Sequence, residues 1–93
     1  MKIHTALIKR ITELARERGK TPVQIGKLGG IGQSTISEIL RGGTAHPKVV
    51  TIQKYCNGLG ITLEEFFASD LFNNTDEFNE RFESDSDSTK TKK

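Results

Sequence analysis

The chain has 93 residues, 33% of them hydrophobic, with no Trp and a single Tyr, enough for one small core and too little for a second core or a large buried pocket. An enzyme cavity is therefore a poor reading, and no residues of the kind that hold a cofactor or metal gather in the sequence. The net charge of +2 hides a split: residues 1–68 carry ten Lys and Arg against five acids (+5), while residues 69–93 carry four against seven (−3), so the half that folds is the half that attracts polyanions.

Ile3, Leu7, Ile11, Leu14 and Ala15 recur at helical spacing with Lys9, Arg10, Glu13, Arg16 and Glu17 between them, which predicts a first amphipathic helix, solvated on its charged side and ended by Gly19. Thr21-Pro22-Val23-Gln24 supplies an N-cap, a proline at the first helical position and a glutamine able to complete a capping box. The second helix that begins there points Ile25 and Leu28 inward. It runs to about Gly29, because Gly29-Gly30 and Gly32 favour a tight turn. Ile36, Ile39 and Leu40 mark a short third helix whose other faces carry Gln33, Ser34, Thr35, Ser37, Glu38 and Arg41; Gly42-Gly43 ends it, and a loop through Thr44, Ala45 and His46 leads to Pro47. Val49, Ile52, Cys56 and Leu59 define a fourth helix closed by Gly58 and Gly60, and Thr62-Leu63-Glu64-Glu65 is a second capping box opening a fifth that buries Leu63, Phe66 and Phe67.

Beyond Ser69 the pattern decays. Leu71, Phe78 and Phe82 share one face of a short amphipathic helix expected around 75–83, and 84–93 has no apolar residue, the composition of a disordered tail. The sequence thus divides into a folded unit over 1–69, an extension over 70–83 and a polar tail over 84–93. No strand-like alternation or internal repeat is evident, so the fold class is all-α, a five-helix bundle.

Two short helices joined by a glycine turn, the second with a row of small polar side chains, fit a DNA major groove about 12 Å wide. Gln at the start of such a helix pairs with adenine N6 and N7, and Ser and Thr are short enough to bring the backbone close. The run from Ile25 to Gly42, IGKLGGIGQSTISEILRG, resembles the helix-turn-helix signature of the lambda repressor and Cro type, also called the xenobiotic-response-element family. The resemblance extends from about Ile3 to Phe67, with Thr21 at the capping threonine, Pro47 at the proline after the recognition helix and 59–67 at the closing helix. It implies a lambda-repressor-like bundle that binds double-stranded DNA. It also implies base contacts by Gln33, Ser34, Thr35 and Ser37, and backbone contacts by Arg41, Thr44 and Lys48. Three positions depart from the family pattern: Pro22 replaces a phosphate-contacting Gln, Gly26 replaces Ala within the second helix, and Gly32 replaces the Ser or Thr cap before the third.

Thr21, Gln24 and Lys27 complete the expected phosphate contacts, each against the plain reading of a solvated side chain. Glu38 repels phosphate unless it accepts from cytosine N4 or pairs with a basic neighbour, and the structural pairing is the expected role. His4, His46 and Cys56 are too scattered for a zinc site, and Cys56 falls on a core stripe. Because one recognition helix reads only a few base pairs, useful specificity implies a homodimer; Phe66, Leu71, Phe78 and Phe82 are the candidates for its contact. The sequence thus points to a transcriptional regulator, expected to be a repressor. The rival reading is a protein-interaction module on the same fold, such as the antitoxin of a toxin–antitoxin pair. Exposed aromatics for stacking RNA are lacking. No segment approaches the roughly 20 apolar residues that span a bilayer, residues 1–4 do not open a signal peptide, and the one cysteine has no partner for an internal disulfide. No membrane and no small-molecule ligand are expected, and the location is expected to be cytoplasmic.

Overall fold

The computed structural model describes residues 1–44 and 46–80. They form α1 (Ile3–Glu17), α2 (Pro22–Leu28), α3 (Gln33–Leu40), α4 (Val49–Leu59) and α5 (Leu63–Phe67), followed by a 3₁₀ turn over Asp70–Asn73 and a further helical stretch from 76 to 80. The fold is all-helical, with no strand among the described residues.

Local chemistry sets the helix starts. Thr21 Oγ1 accepts from the Gln24 N–H at 3.2 Å while Gln24 Oε1 accepts from the Thr21 N–H at 2.9 Å. Thr62 and Glu65 repeat the reciprocal pair at 3.0 and 2.8 Å, so two boxes fix where α2 and α5 begin. Between α2 and α3 the chain turns through Gly30 at φ 85°, a backbone region that side chains resist.

α2 is the hub, packed against α1, α3 and above all α4. Two glycines permit that last contact: a Cβ on Gly29 would lie 1.8 Å from the Lys54 carbonyl oxygen, and one on Gly58 2.3 Å from the Ile25 carbonyl oxygen. Gly29 is therefore less a turn residue than a place where two backbones touch, and Gly58 lies inside α4 rather than closing it. The third close approach is at Gly26, where a Cβ would meet the Ile36 side chain at 2.7 Å. That glycine seats α3 on α2, which accounts for the departure from the family's Ala.

The core joins Leu7, Ile11 and Leu14 of α1, Ile25 of α2, Ile36 and Ile39 of α3, Ile52, Tyr55, Cys56 and Leu59 of α4, and Phe66 of α5. Tyr55 is buried with its hydroxyl donating to the Ile11 carbonyl at 2.8 Å. Burial pushes its phenol well above the ordinary value, against a smaller opposing pull from Arg18, and burial also raises the Cys56 thiol.

Several side chains are not where periodicity places them. Leu28 is 65% exposed and Val49 72%, because α2 turns the face beyond Ile25 away from α4 and the first turn of α4 overhangs the core. Phe67 is 42% exposed and packs its ring edge-on to Phe66 and against Phe72, each at a centroid distance of 4.9 Å, while Leu63 is only partly buried. Arg10 is not solvated. Its guanidinium donates to the Phe66 carbonyl at 2.6 Å, to the Glu65 carbonyl at 2.8 Å and to Glu13 at 2.7 Å, satisfying the orphan acceptors at the end of α5. Arg18 does the same at the end of α4, donating to the Leu59 carbonyl at 3.1 Å.

The extension folds back on the bundle. Phe72 packs against the core, and Thr75 is buried with its hydroxyl accepting from the Phe78 N–H at 3.1 Å. The Asp76 N–H donates to the Met1 carbonyl at 2.8 Å, and Glu77 Oε1 accepts from the Ile3 N–H at 2.9 Å, so acidic residues of the extension cap the otherwise uncapped N-terminus of α1. Phe66, a candidate for the dimer contact, is fully buried in the monomer core and presents no surface to a partner. Leu71 and Phe78 are half-buried against the same molecule, and Phe82 lies outside the described residues.

Candidate nucleic-acid interface

α3 buries Ile36 and Ile39 and leaves Gln33, Ser34 and Thr35 exposed, with Ser37 partly so. At 3.6 residues per turn, Ser34 and Arg41 fall on the line opposite the buried isoleucines, flanked by Gln33 and Ser37 on one side and by Glu38 and Thr35 on the other. The result is a slim polar ridge with no bulky apolar side chain along it. Its N-cap is Gly32, which offers no side-chain acceptor. The first N–H groups of α3 therefore face outward without an intramolecular partner, at the positive end of the helix dipole. Gly32 thus weakens the cap but leaves these donors free for an external acceptor.

The ridge separates two shallow grooves. Ser34, Thr35 and Glu38 form one wall of the first, an open groove of about 450 Å³. Ile39 forms its floor, and Thr44, His46, Pro47, Lys48 and Thr51 form the facing wall. Lys48 is the N-cap of α4 and makes no side-chain cap bond, so a second uncapped helix start opens beside its ammonium. On the other flank Gln33, Ser34, Ser37, Glu38 and Arg41 line a second groove. Arg41 is ion-paired with Glu38 one turn back, in agreement with the pairing expected of Glu38 from the sequence.

The structure thus brings Gln33, Ser34, Thr35, Ser37, Arg41, Thr44 and Lys48 together around one ridge. Thr21, Gln24 and Lys27 line neither groove; they stand exposed along α2, and both Thr21 and Gln24 are engaged in the capping box. That box uses Gln24 Oε1 and leaves its Nε2 donor free. Arg10 and Arg18 are committed to helix ends, and the cations that line the two grooves are Lys48 and the partly neutralised Arg41. Sequence reasoning missed His46 and Thr51, which no local pattern marks, since only the packing of the 43–48 loop brings them to the groove.

Across the loop, His46 and Pro47 also line an apolar cleft of about 270 Å³ with Ile3, Leu7, Val49, Ile52 and Phe67. Exposed Ile3, Val49, Val50 and Phe67 are all apolar, and three of them line this cleft. Among the described residues no helix is long and apolar enough to cross a membrane, and no group of three His, Cys, Asp or Glu side chains is placed to hold a metal ion.

A family model described as helix-turn-helix matches residues 11–66, well over half of the chain. No curated protein and no solved structure matches.

Proposed function

Because the chain belongs to the helix-turn-helix family of the lambda repressor and Cro type, a family of DNA-binding regulators, we propose that it is a sequence-specific repressor that reads operator half-sites with α3 in the major groove. The observation that carries this reading is the exposed polar ridge from Gln33 to Ser37, uncapped at its start and flanked by grooves on both sides. Gln33 reads adenine through its amide, Ser34, Thr35 and Ser37 approach base edges, and Lys27, Arg41, Thr44 and Lys48 take phosphates, with Thr21 and Gln24 at the start of α2 adding to them. Arg41 has donors to spare for a phosphate while it holds Glu38, since a guanidinium carries five N–H groups.

The DNA-binding unit is residues 1–69, and it acts as a homodimer on half-sites about 34 Å apart. The apolar cleft beside the 43–48 loop supports a dimer surface made of Ile3, Val49, Val50 and Phe67, the large apolar side chains left exposed around it. His46 and Pro47 border both the cleft and the ridge groove, so a second copy seated there lies beside the ridge.

The test is a gel shift with a duplex obtained by in-vitro selection and with random duplexes. The wild type binds the selected duplex at least a thousandfold more tightly, on the order expected for specific recognition. Gln33→Ala loses about 1–3 kcal/mol on the selected duplex and relaxes the preference at one base pair. An equal loss on selected and random DNA contradicts the assignment of Gln33.

A further inference from the structure

A carboxylate at the middle of a surface meant for a polyanion demands an explanation. Glu38 stands one helical turn beyond Ser34 and borders both grooves of the ridge. A docking that places Ser34 near base edges brings Glu38, one turn further along the helix, toward the groove as well. Against phosphate such a group is repelled, and against guanine or thymine edges, which present acceptors at this rim, it is repelled again. The donors the major groove offers are the amino groups of cytosine and adenine, and on adenine the acceptor N7 lies beside the amino group, where a carboxylate meets it unfavourably. Cytosine N4 is the complementary partner.

The arrangement around Glu38 fits that role. Arg41 pairs with Oε1 and offsets the charge, while the carboxyl group rests against Gly43, where a Cβ would collide with Oε2. Oε2 has no hydrogen-bond donor among the described residues. An oriented, charge-compensated carboxylate with one oxygen unclaimed is preorganised to accept a single external N–H.

We propose that Glu38 is a specificity-determining residue that selects a cytosine in each half-site, with Arg41 as its positioning residue. The inference rests on the DNA-reading role of α3 and adds the identity of one base to it. The experiment is in-vitro selection of duplexes by the wild-type protein and by Glu38→Gln. Affinities are then measured on the selected site, on copies with that position changed, and on random DNA, with a thermal melt to show that both proteins are folded.

The wild type enriches an invariant cytosine at one position per half-site. Glu38→Gln loses that preference, moving toward adenine, with the cytosine-to-adenine affinity ratio falling about tenfold or more; the other positions stay fixed, and binding to random DNA tightens as a negative charge is removed. A motif with identical base preferences in both proteins overturns the assignment of Glu38 and leaves the DNA-reading role standing. A wild-type protein that enriches no motif overturns that role, and this inference with it.

Discussion

Gly58→Ala sets two effects of opposite sign against each other. Gly58 lies inside α4, where alanine is favoured over glycine by about 1 kcal/mol in helix propensity. The packing reverses that sign. A methyl group there falls 2.3 Å from the Ile25 carbonyl oxygen and 3.0 Å from the Gly29 nitrogen, and both are backbone atoms, so no rotamer change relieves the overlap. α2 and α4 must separate along the contact that carries most of the bundle. Overpacking of this kind costs about 1–3 kcal/mol, with the upper end expected where backbone itself shifts, leaving a net loss of about 2 kcal/mol after the propensity gain. For a domain of this size each kcal/mol moves the melting temperature by about 4–8 °C, so the expected fall is about 8–16 °C by far-UV circular dichroism. Lys54→Ala, exposed on the same helix, stays within about 0.5 kcal/mol of the wild type. A Gly58→Ala protein that melts at or above the wild-type temperature refutes the close α2–α4 approach.

Arg41→Ala weakens binding to selected and random duplexes and flattens its salt dependence, with an added loss on the cytosine-bearing site because Glu38 loses its partner. With Lys27, Lys48 and Arg41 each taking a phosphate in both protomers, the log–log salt slope is about −5, and losing one contact per protomer reduces it by about 2; an unchanged slope removes Arg41 from the backbone contacts. Val49→Asp places a charge at the 72% exposed rim of the apolar cleft. Sedimentation equilibrium should then give a monomer that keeps its helical far-UV spectrum, melts independently of protein concentration and loses affinity for a two-half-site duplex; an intact dimer moves the interface elsewhere. Tyr55 has its folded-state pKa raised by burial, so the folded protein holds this proton more tightly than the unfolded chain. That contribution is fully present below the ordinary phenol value of about 10 and is lost as pH climbs above it. Wild-type stability therefore falls in strong alkali, and Tyr55→Phe shows a shallower fall, retaining the part due to Cys56, whose raised pKa has the same sign from the ordinary thiol range upward. Identical alkaline slopes in the two proteins contradict the buried phenol.

The helix count and the helix starts were legible because their causes are local. Thr21 with Gln24, and Thr62 with Glu65, are each within three residues of their partner, and the structure realises both boxes. The core stripe of α1 from Leu7 to Ala15 and the inward Ile36 and Ile39 follow from helical period alone, whereas Ile3, expected on the same stripe, is exposed. What resisted reading depends on contacts between distant segments. Nothing near Leu28 or Val49 tells that the packing of α2 on α4 leaves them in solvent. The use of Gly29 and Gly58 as a backbone contact requires two glycines in different helices to meet, and their neighbours suggest only turns. Arg10 looks like part of a charged face until Phe66 and Glu65, more than fifty positions away, bring their carbonyls to it. The extension's hold on the start of α1 through Glu77 is equally non-local. The ridge of α3 was readable as a surface, since small polar residues between glycines have no reason to be buried. Its groove walls were not, because His46 and Thr51 arrive there only through the loop's path.

An amide-resolved titration of the protein with its selected duplex separates a DNA-reading α3 from any other binding surface. The largest shifts, together with intermolecular contacts to major-groove base protons, fall on Gln33, Ser34, Thr35 and Ser37, with smaller ones at Thr44 and Lys48. Perturbation confined to the Ile3–Val49–Phe67 cleft or to the 70–80 extension, with α3 unaffected, would contradict its DNA-reading role.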